Sequence, residues 1–273
     1  MAYNLLKGKK GIIFGALDEK SIAWKTAQKC YAEGAEIVLT NAPVALRMGA
    51  INQLAAECGN APVIGADVTS LDDLKNLIEK SMEHFGGKID FILHSVGMGL
   101  NVRKGKHYTE MNYEWNQKTF DISSMSLHKV LRTAWELDAL SEHASVIALT
   151  YIAAQRVFPD YNEMADAKAL LESVTRMFGY YYGEKNKVRV NTISQSPTPT
   201  TAGSGVKGFD SFINYAEKMS PLGNAPAEAC ADYIAVMFSD LTKYVTMQNL
   251  FHDGGFSFTG VTPKVLEAMG GAE

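Results

Sequence analysis

Short apolar runs alternate along this chain with longer stretches of helical spacing, and that alternation leaves few architectures open. The runs fall at residues 11–15 (GIIFG), 36–41 (EIVLTN), 62–66, 89–96 (IDFILHSV), 145–150 (SVIALT), 188–194 (VRVNTIS) and 249–255 (NLFHDGG). The most continuous of them have no polar face to offer water, which is the signature of a parallel strand buried on both sides. Between them, residues 21–33, 45–58, 71–85, 111–140, 161–184 and 228–239 carry helical patterns, the first stopped by Gly34. Repeated strand–helix units predict an α/β fold: a doubly wound parallel sheet with helices on both faces. Ligands of such sheets bind beyond the carboxyl ends of the strands.

Composition narrows the class further. A chain of 273 residues with 47% hydrophobic content can bury one substantial core, and with no linker or repeat it reads as a single domain, 1–273. The net charge is −4 without a basic tract, so nucleic acid and anionic membrane are poor partners. Cys30, Cys58 and Cys230 are far apart and form no CxxC, which argues against a disulfide framework or a zinc site and fits a reducing cytoplasm. The N-terminal MAYNLLKGKK lacks the apolar core of a signal peptide, and no apolar run is long enough to span a bilayer.

Chemistry-bearing residues gather at the predicted strand ends. Gly15 allows a tight turn in GALDEKSIA, and Ser21 opens the next helix, where free N–H groups favour a pyrophosphate. A structural turn with an N-cap serine would look the same. Asp67 and Val68 close the third strand; the carboxylate suits an adenine amino group or a plain turn. Gly97, in His94-Ser95-Val96-Gly97, lets backbone approach a ribose, whereas His94 reads more simply as a buried, hydrogen-bonded histidine. Residues 99–107 read as a loop. Residues 196–220, rich in Pro and Gly and then helical, read as a flap over a pocket.

The segment YIAAQRVFPDYNEMADAK holds Tyr151, Tyr161 and Lys168. Seven residues separate Tyr161 from Lys168, close to two helical turns, so the two share a face. The ammonium would favour phenolate and lower the tyrosine pKa from about 10 towards working pH. Such a pair can donate to an oxygen that is becoming negative.

Together these segments resemble the short-chain dehydrogenase/reductase family, with its Rossmann-type sheet, and within it the enoyl-[acyl-carrier-protein] reductases of bacterial fatty-acid synthesis. The resemblance covers nearly the whole chain, and the stretches that carry it are GALDEKSIAW, CYAEGAEIVLT, DV, FILHSVG, FDISSMS, LTYIAAQRVFPDYNEMADAKALLES, VRVNTIS-SP and HDGGF. The wider family places a serine thirteen residues before the catalytic tyrosine; Ala148 stands there, and Tyr151, ten residues before Tyr161, matches the enoyl subgroup. The resemblance implies hydride transfer from NADH, with NADPH possible, to the β-carbon of a trans-2-enoyl thioester on acyl-carrier protein. It implies Tyr161 at the nascent enolate, Lys168 on the nicotinamide ribose, and Tyr151 in support. It further implies cofactor contacts from Gly15, Ser21, Ile22, Asp67, Val68, Gly97, Ile193 and Thr198, an acyl wall from Met164, Phe209 and Ile213, and a homotetramer built on the 111 and 161 helices. Asn41-Ala42 offers no acid for a ribose 2′-hydroxyl, and Arg47 reaches a 2′-phosphate only if its loop folds back. Two alternatives stay open: a ketoreductase of the same family, and a dinucleotide-binding protein without turnover.

Overall fold

The computed structural model describes residues 3–47, 50–201 and 209–270. Among them, seven parallel strands form one sheet in the order β3-β2-β1-β4-β5-β6-β7. The strands are β1 Lys10–Phe14, β2 Glu36–Asn41, β3 Val63–Gly65, β4 Ile89–His94, β5 Leu140–Thr150, β6 Arg189–Gln195 and β7 Asn249–His252. The order reverses direction beside β1, so β1 and β4 diverge into helices on opposite faces and leave a crevice between them.

Strand alternation sorts the core into two layers. Ile13, Phe91, Leu93, Ile147 and Ile193 enter one layer, covered by α1 (Ile22–Ala32), α3 (Ala50–Glu57) and α10 (Ala227–Phe238). Ile12, Phe14, Val38, Ile92, Val146 and Ala148 enter the other, covered by α4 (Leu71–Phe85), α7 (Ser126–Glu136) and α8 (Asn162–Asn186). Local signals set the helix ends. Ser21 Oγ accepts from Trp24 N at 3.2 Å to start α1. Ser70 caps α4, which ends at Gly86 with φ +62.

Two predicted helices are broken. Residues 45–58 hold α2 (Pro43–Leu46) and then α3, with residues 48 and 49 outside the described chain. Residues 111–140 are not one helix either: α6 (Tyr113–Phe120) runs into a wide turn, Asp121–Met125, before α7. The cause is packing, because Ser123 and Ser124 are fully buried and Ser124 Oγ donates to Ala167 O of α8 at 2.5 Å. Small side chains let the two helices approach, and an extra residue is taken up in the turn. β5 begins at Leu140, five residues earlier than its apolar core, because Leu140 pairs with Ile89 across a register shift. Sheet pairing there outweighs the polar sequence SEHA. The 99–107 loop contains α5 (Leu100–Arg103), and the chain also forms α9 (Phe209–Met219) and α11 (Pro263–Ala268). No helix of the described residues is long and apolar enough to cross a membrane.

Candidate active site

A cleft of about 1320 Å³ opens at the carboxyl ends of β1, β2, β4, β5 and β6. One side of it is lined by Gly15, Ser21, Ile22, Asp67, Val68, Gly97 and Thr198, and its centre by Tyr151, Tyr161, Met164 and Lys168. Gly15 is required by geometry. Its φ is +90, and a Cβ there would lie 1.9 Å from the carbonyl oxygen of Ser95. Gly97 faces inward, where an added Cβ would sit 3.6 Å from Met164 Cε and 3.9 Å from Lys168 Nζ. Any side chain at 97 would therefore project onto the floor of the cleft, which suits the close approach of a sugar to backbone.

Ser21 and Asp67 already have work within the chain. The Ser21 hydroxyl donates to Asp18 O at 2.9 Å while capping α1. Asp67 Oδ1 accepts from the backbone and hydroxyl of Thr69 at 2.9 and 2.7 Å, a turn that holds the end of β3. His94 follows its simple reading: it is fully buried, Nε2 lies 2.8 Å from Ser126 Oγ, and burial followed by the nearby Lys168 charge lowers its pKa to about 3.

Tyr161 sits at the N-cap of α8, between two residues with left-handed backbone, Asp160 (φ +67) and Asn162 (φ +44). Asp and Asn tolerate that region best among residues with a side chain, and Asn162 is held by donating to Lys106 O at 2.6 Å. The strained pair turns the Tyr161 ring over the cleft, 5.4 Å centroid to centroid from Tyr151. Lys168, on the second turn of α8, donates from Nζ to Leu149 O at 2.8 Å. Burial lowers its pKa to about 8, against the opposing pull of Glu172.

The expected lowering of the Tyr161 pKa is not found. Burial raises it to about 12, so the ring stays a neutral O–H donor. The Tyr151 phenol is also pushed up, first by burial, and its hydroxyl oxygen is buried without a hydrogen-bond partner among the described residues. A buried hydroxyl left unpaired costs roughly 1–3 kcal/mol, and this one lies on a residue that lines the cleft, where a ligand oxygen could pair with it.

Three expected contacts fall elsewhere. Ile193 is fully buried in the core layer under α1 and α10, because its place in β6 alternates away from the cleft. Ile213 does not line the cleft either. On α9 the inward face carries Phe212, Ala216 and Met219, and Ile213 lies about 100° round from Phe212. The side chain of Phe209, with residues 202–208 of the expected flap, lies outside the described chain. The apolar wall is instead aromatic. Phe158 stacks edge-on to Phe212 at 5.1 Å, Tyr151 meets both, and Tyr215 completes the lining. The VFPDY stretch between the tyrosines and the phase of α9 were the signals that could have found them. Arg47 does not line the cleft; Asn41 does, and its side chain donates to Ala16 O at 3.1 Å. Among the described residues, no group of His, Cys, Asp or Glu could hold a metal ion.

A doubly wound sheet whose switch-point crevice holds a glycine turn and a buried tyrosine–lysine pair defines the short-chain dehydrogenase/reductase class. The sequence matches the family described as Enoyl-(Acyl carrier protein) reductase over residues 15–257. Enoyl-[acyl-carrier-protein] reductase [NADH] 2 of Rhizobium meliloti is 32% identical over 268 residues, 97% of each chain. A crystal structure of a FabI–NADH complex from Alistipes finegoldii is 61% identical, with a TM-score of 0.94, covering 96% of this chain and 92% of that one. That of the NADH enzyme from Aquifex aeolicus is 31% identical, with a TM-score of 0.87, covering 94% and 100%. The chain belongs to the enoyl-[acyl-carrier-protein] reductase family.

Proposed function

We propose that this chain reduces the trans-2 double bond of an enoyl thioester carried on acyl-carrier protein, with NADH as reductant. One observation carries the reading: Tyr151, Tyr161 and Lys168 line a single cleft with the Gly15 turn, and the Tyr151 hydroxyl is buried there without a partner among the described residues. When bound, NADH supplies hydride to the β-carbon.

The chain's own residues do the rest. The start of α1 would offer its free backbone N–H groups to the pyrophosphate, and the Gly15 turn, whose own N–H is held by Thr40 O, would let the backbone approach it. Lys168 has three N–H donors, one of them given to Leu149 O, and the others can meet the ribose hydroxyls. At neutral pH, below its pKa of about 8, it is charged and adds positive potential. Tyr161, kept protonated by burial, donates a hydrogen bond to the thioester oxygen as enolate charge develops. Tyr151 gives its unpaired hydroxyl to the same region, and Phe158 and Phe212 exclude water around the acyl chain. The segments 196–201 and 209–220 close the acyl side.

NADH is favoured over NADPH because Arg47 does not line the cleft although Val44 and Ala45 do, so no cation of this loop stands in the lining to meet a 2′-phosphate. The ketoreductase alternative is disfavoured by Ala148, a fully buried core residue in the place of the family's serine. A cytoplasmic homotetramer is the expected assembly. Exposed Tyr113 on α6 and Met177, Tyr180 and Tyr181 on α8 give both helices apolar contact surface. A monomeric mass by light scattering would refute it. The activity is tested by following NADH oxidation with crotonyl and acetoacetyl thioesters. Consumption with crotonyl is expected. Consumption with acetoacetyl alone would favour ketoreduction, and binding without turnover would leave a dinucleotide-binding protein.

A further inference from the structure

Behind the lysine lies a carboxylate that the mechanism above does not use. Glu172 is one helical turn beyond Lys168 on α8 and is 5% exposed. Its oxygens accept three hydrogen bonds: Oε1 from Thr150 Oγ1 at 3.0 Å and from Asn249 Nδ2 at 3.1 Å, and Oε2 from Gln155 Nε2 at 2.9 Å. Thr150 is the residue before Tyr151, and Gln155 ends the short turn Ile152–Ala154 that follows it. One carboxylate therefore grips the chain on both sides of Tyr151. The same stretch holds the lysine, because Leu149 O receives Lys168 Nζ. Asn249 ties the group to β7.

We infer that Glu172 is a positioning residue of this site: it fixes the Tyr151 segment against α8 from both flanks and, one helical turn from Lys168, sets a carboxylate on the ammonium's side of the helix. The inference rests on the reductase reading for its catalytic meaning. The titratable groups around Lys168 are few. Tyr161, Glu163, Asp166 and Glu172 come from α8 and its N-cap, His94 from β4 and Tyr151 from the end of β5; Glu163 Oε1 accepts from Asn101 N at 2.8 Å and Asp166 from the Tyr108 hydroxyl at 3.2 Å. Asp121, in the wide turn packed against α8, is paired with Lys129 at 2.6 Å. His94 stays neutral and both phenols stay protonated, so Glu172 is the anion that opposes the burial of Lys168.

Two kinds of variant separate position from charge. Glu172→Ala removes the grip and is expected to lower kcat about tenfold or more, with a smaller change in KM for the thioester, as misplacement of a reacting group does. Gln155 is exposed, so Gln155→Ala tests one arm of the grip without threatening the core. It should lower kcat severalfold in the wild type and have no further effect in the Glu172→Ala background. Glu172→Gln preserves shape and acceptor, since the exposed Gln155 amide can turn to meet it, but removes the charge. NADH affinity, titrated by fluorescence against pH, should then lose its alkaline limb at lower pH than in the wild type. Additive losses in the Glu172→Ala, Gln155→Ala pair, or an alkaline limb unmoved by Glu172→Gln, overturn the inference. A wild type that binds NADH but is inert on enoyl thioesters fails the reductase reading instead, and the binding limb still judges Glu172.

Discussion

The glycine-bearing wall of the cleft is made from strand ends, whereas a second wall is made from aromatic side chains drawn from distant segments. Gly15 follows directly on β1, and Asp67 and Gly97 lie within three residues of the ends of β3 and β4, so sheet register largely sets their spacing. Phe158 and Phe212 come from the loop before α8 and from α9, and only ring-on-ring packing with Tyr151 brings them together. The first wall is rigid because backbone hydrogen bonds of the sheet define it. The second is held by dispersion and apolar burial, which tolerate small shifts.

The largest effect should come from breaking the rigid wall. Gly15→Ala places a Cβ against the Ser95 carbonyl at positive φ, a cost of roughly 2–4 kcal/mol in strain and overpacking. Thermal melting should show the loss, and NADH titration should show binding abolished. Next, Tyr161→Phe should lower kcat about 10²- to 10³-fold, the scale for a lost oxyanion donor, with NADH affinity nearly unchanged. A wild-type rate would remove the tyrosine from the mechanism.

The pH dependence of the rigid wall follows from Lys168. Its pKa, lowered to about 8, means that the charge is present below that pH and lost as pH rises through it. NADH affinity should therefore fall above about pH 8. Lys168→Ala should bind about tenfold to hundredfold more weakly, the scale for a lost hydrogen bond to a charged group, and show no such limb. Affinity that is flat across this range in the wild type would deny the contact.

The packed wall should yield more gently. Phe212→Ala is expected to raise KM for long enoyl thioesters roughly tenfold and to leave crotonyl turnover little changed. Equal effects on both chain lengths would show that Phe212 does not touch the acyl tail. The smallest effect on folding belongs to Tyr151→Phe. Deleting a buried hydroxyl that has no partner among the described residues should leave stability unchanged or raise it by up to about 1 kcal/mol, read as Tm without ligand.

The strands were legible from sequence because a strand buried on both faces must be apolar along its whole length. Residues 36–41 and 71–85 were read with the boundaries that β2 and α4 have. Gly15, Tyr161 and Lys168 were legible because a turn and a helical period are local geometry. Other features depended on neighbours far along the chain. The broken 111–140 helix answers to Ala167, the early start of β5 to Ile89, and the Ile213-for-Phe212 error to the phase of α9 against Tyr151. The charge state of the central pair belongs with these. Sequence spacing put an ammonium near a phenol and suggested phenolate, but burial, which no spacing reports, keeps that phenol neutral. The sequence by itself determined the alternation, the topology class and the residues that meet at the strand ends, because those follow from periodicity and backbone geometry. Only the tertiary structure decided which side chains wall the acyl pocket and which groups carry a proton, because packing and desolvation are properties of the assembled core.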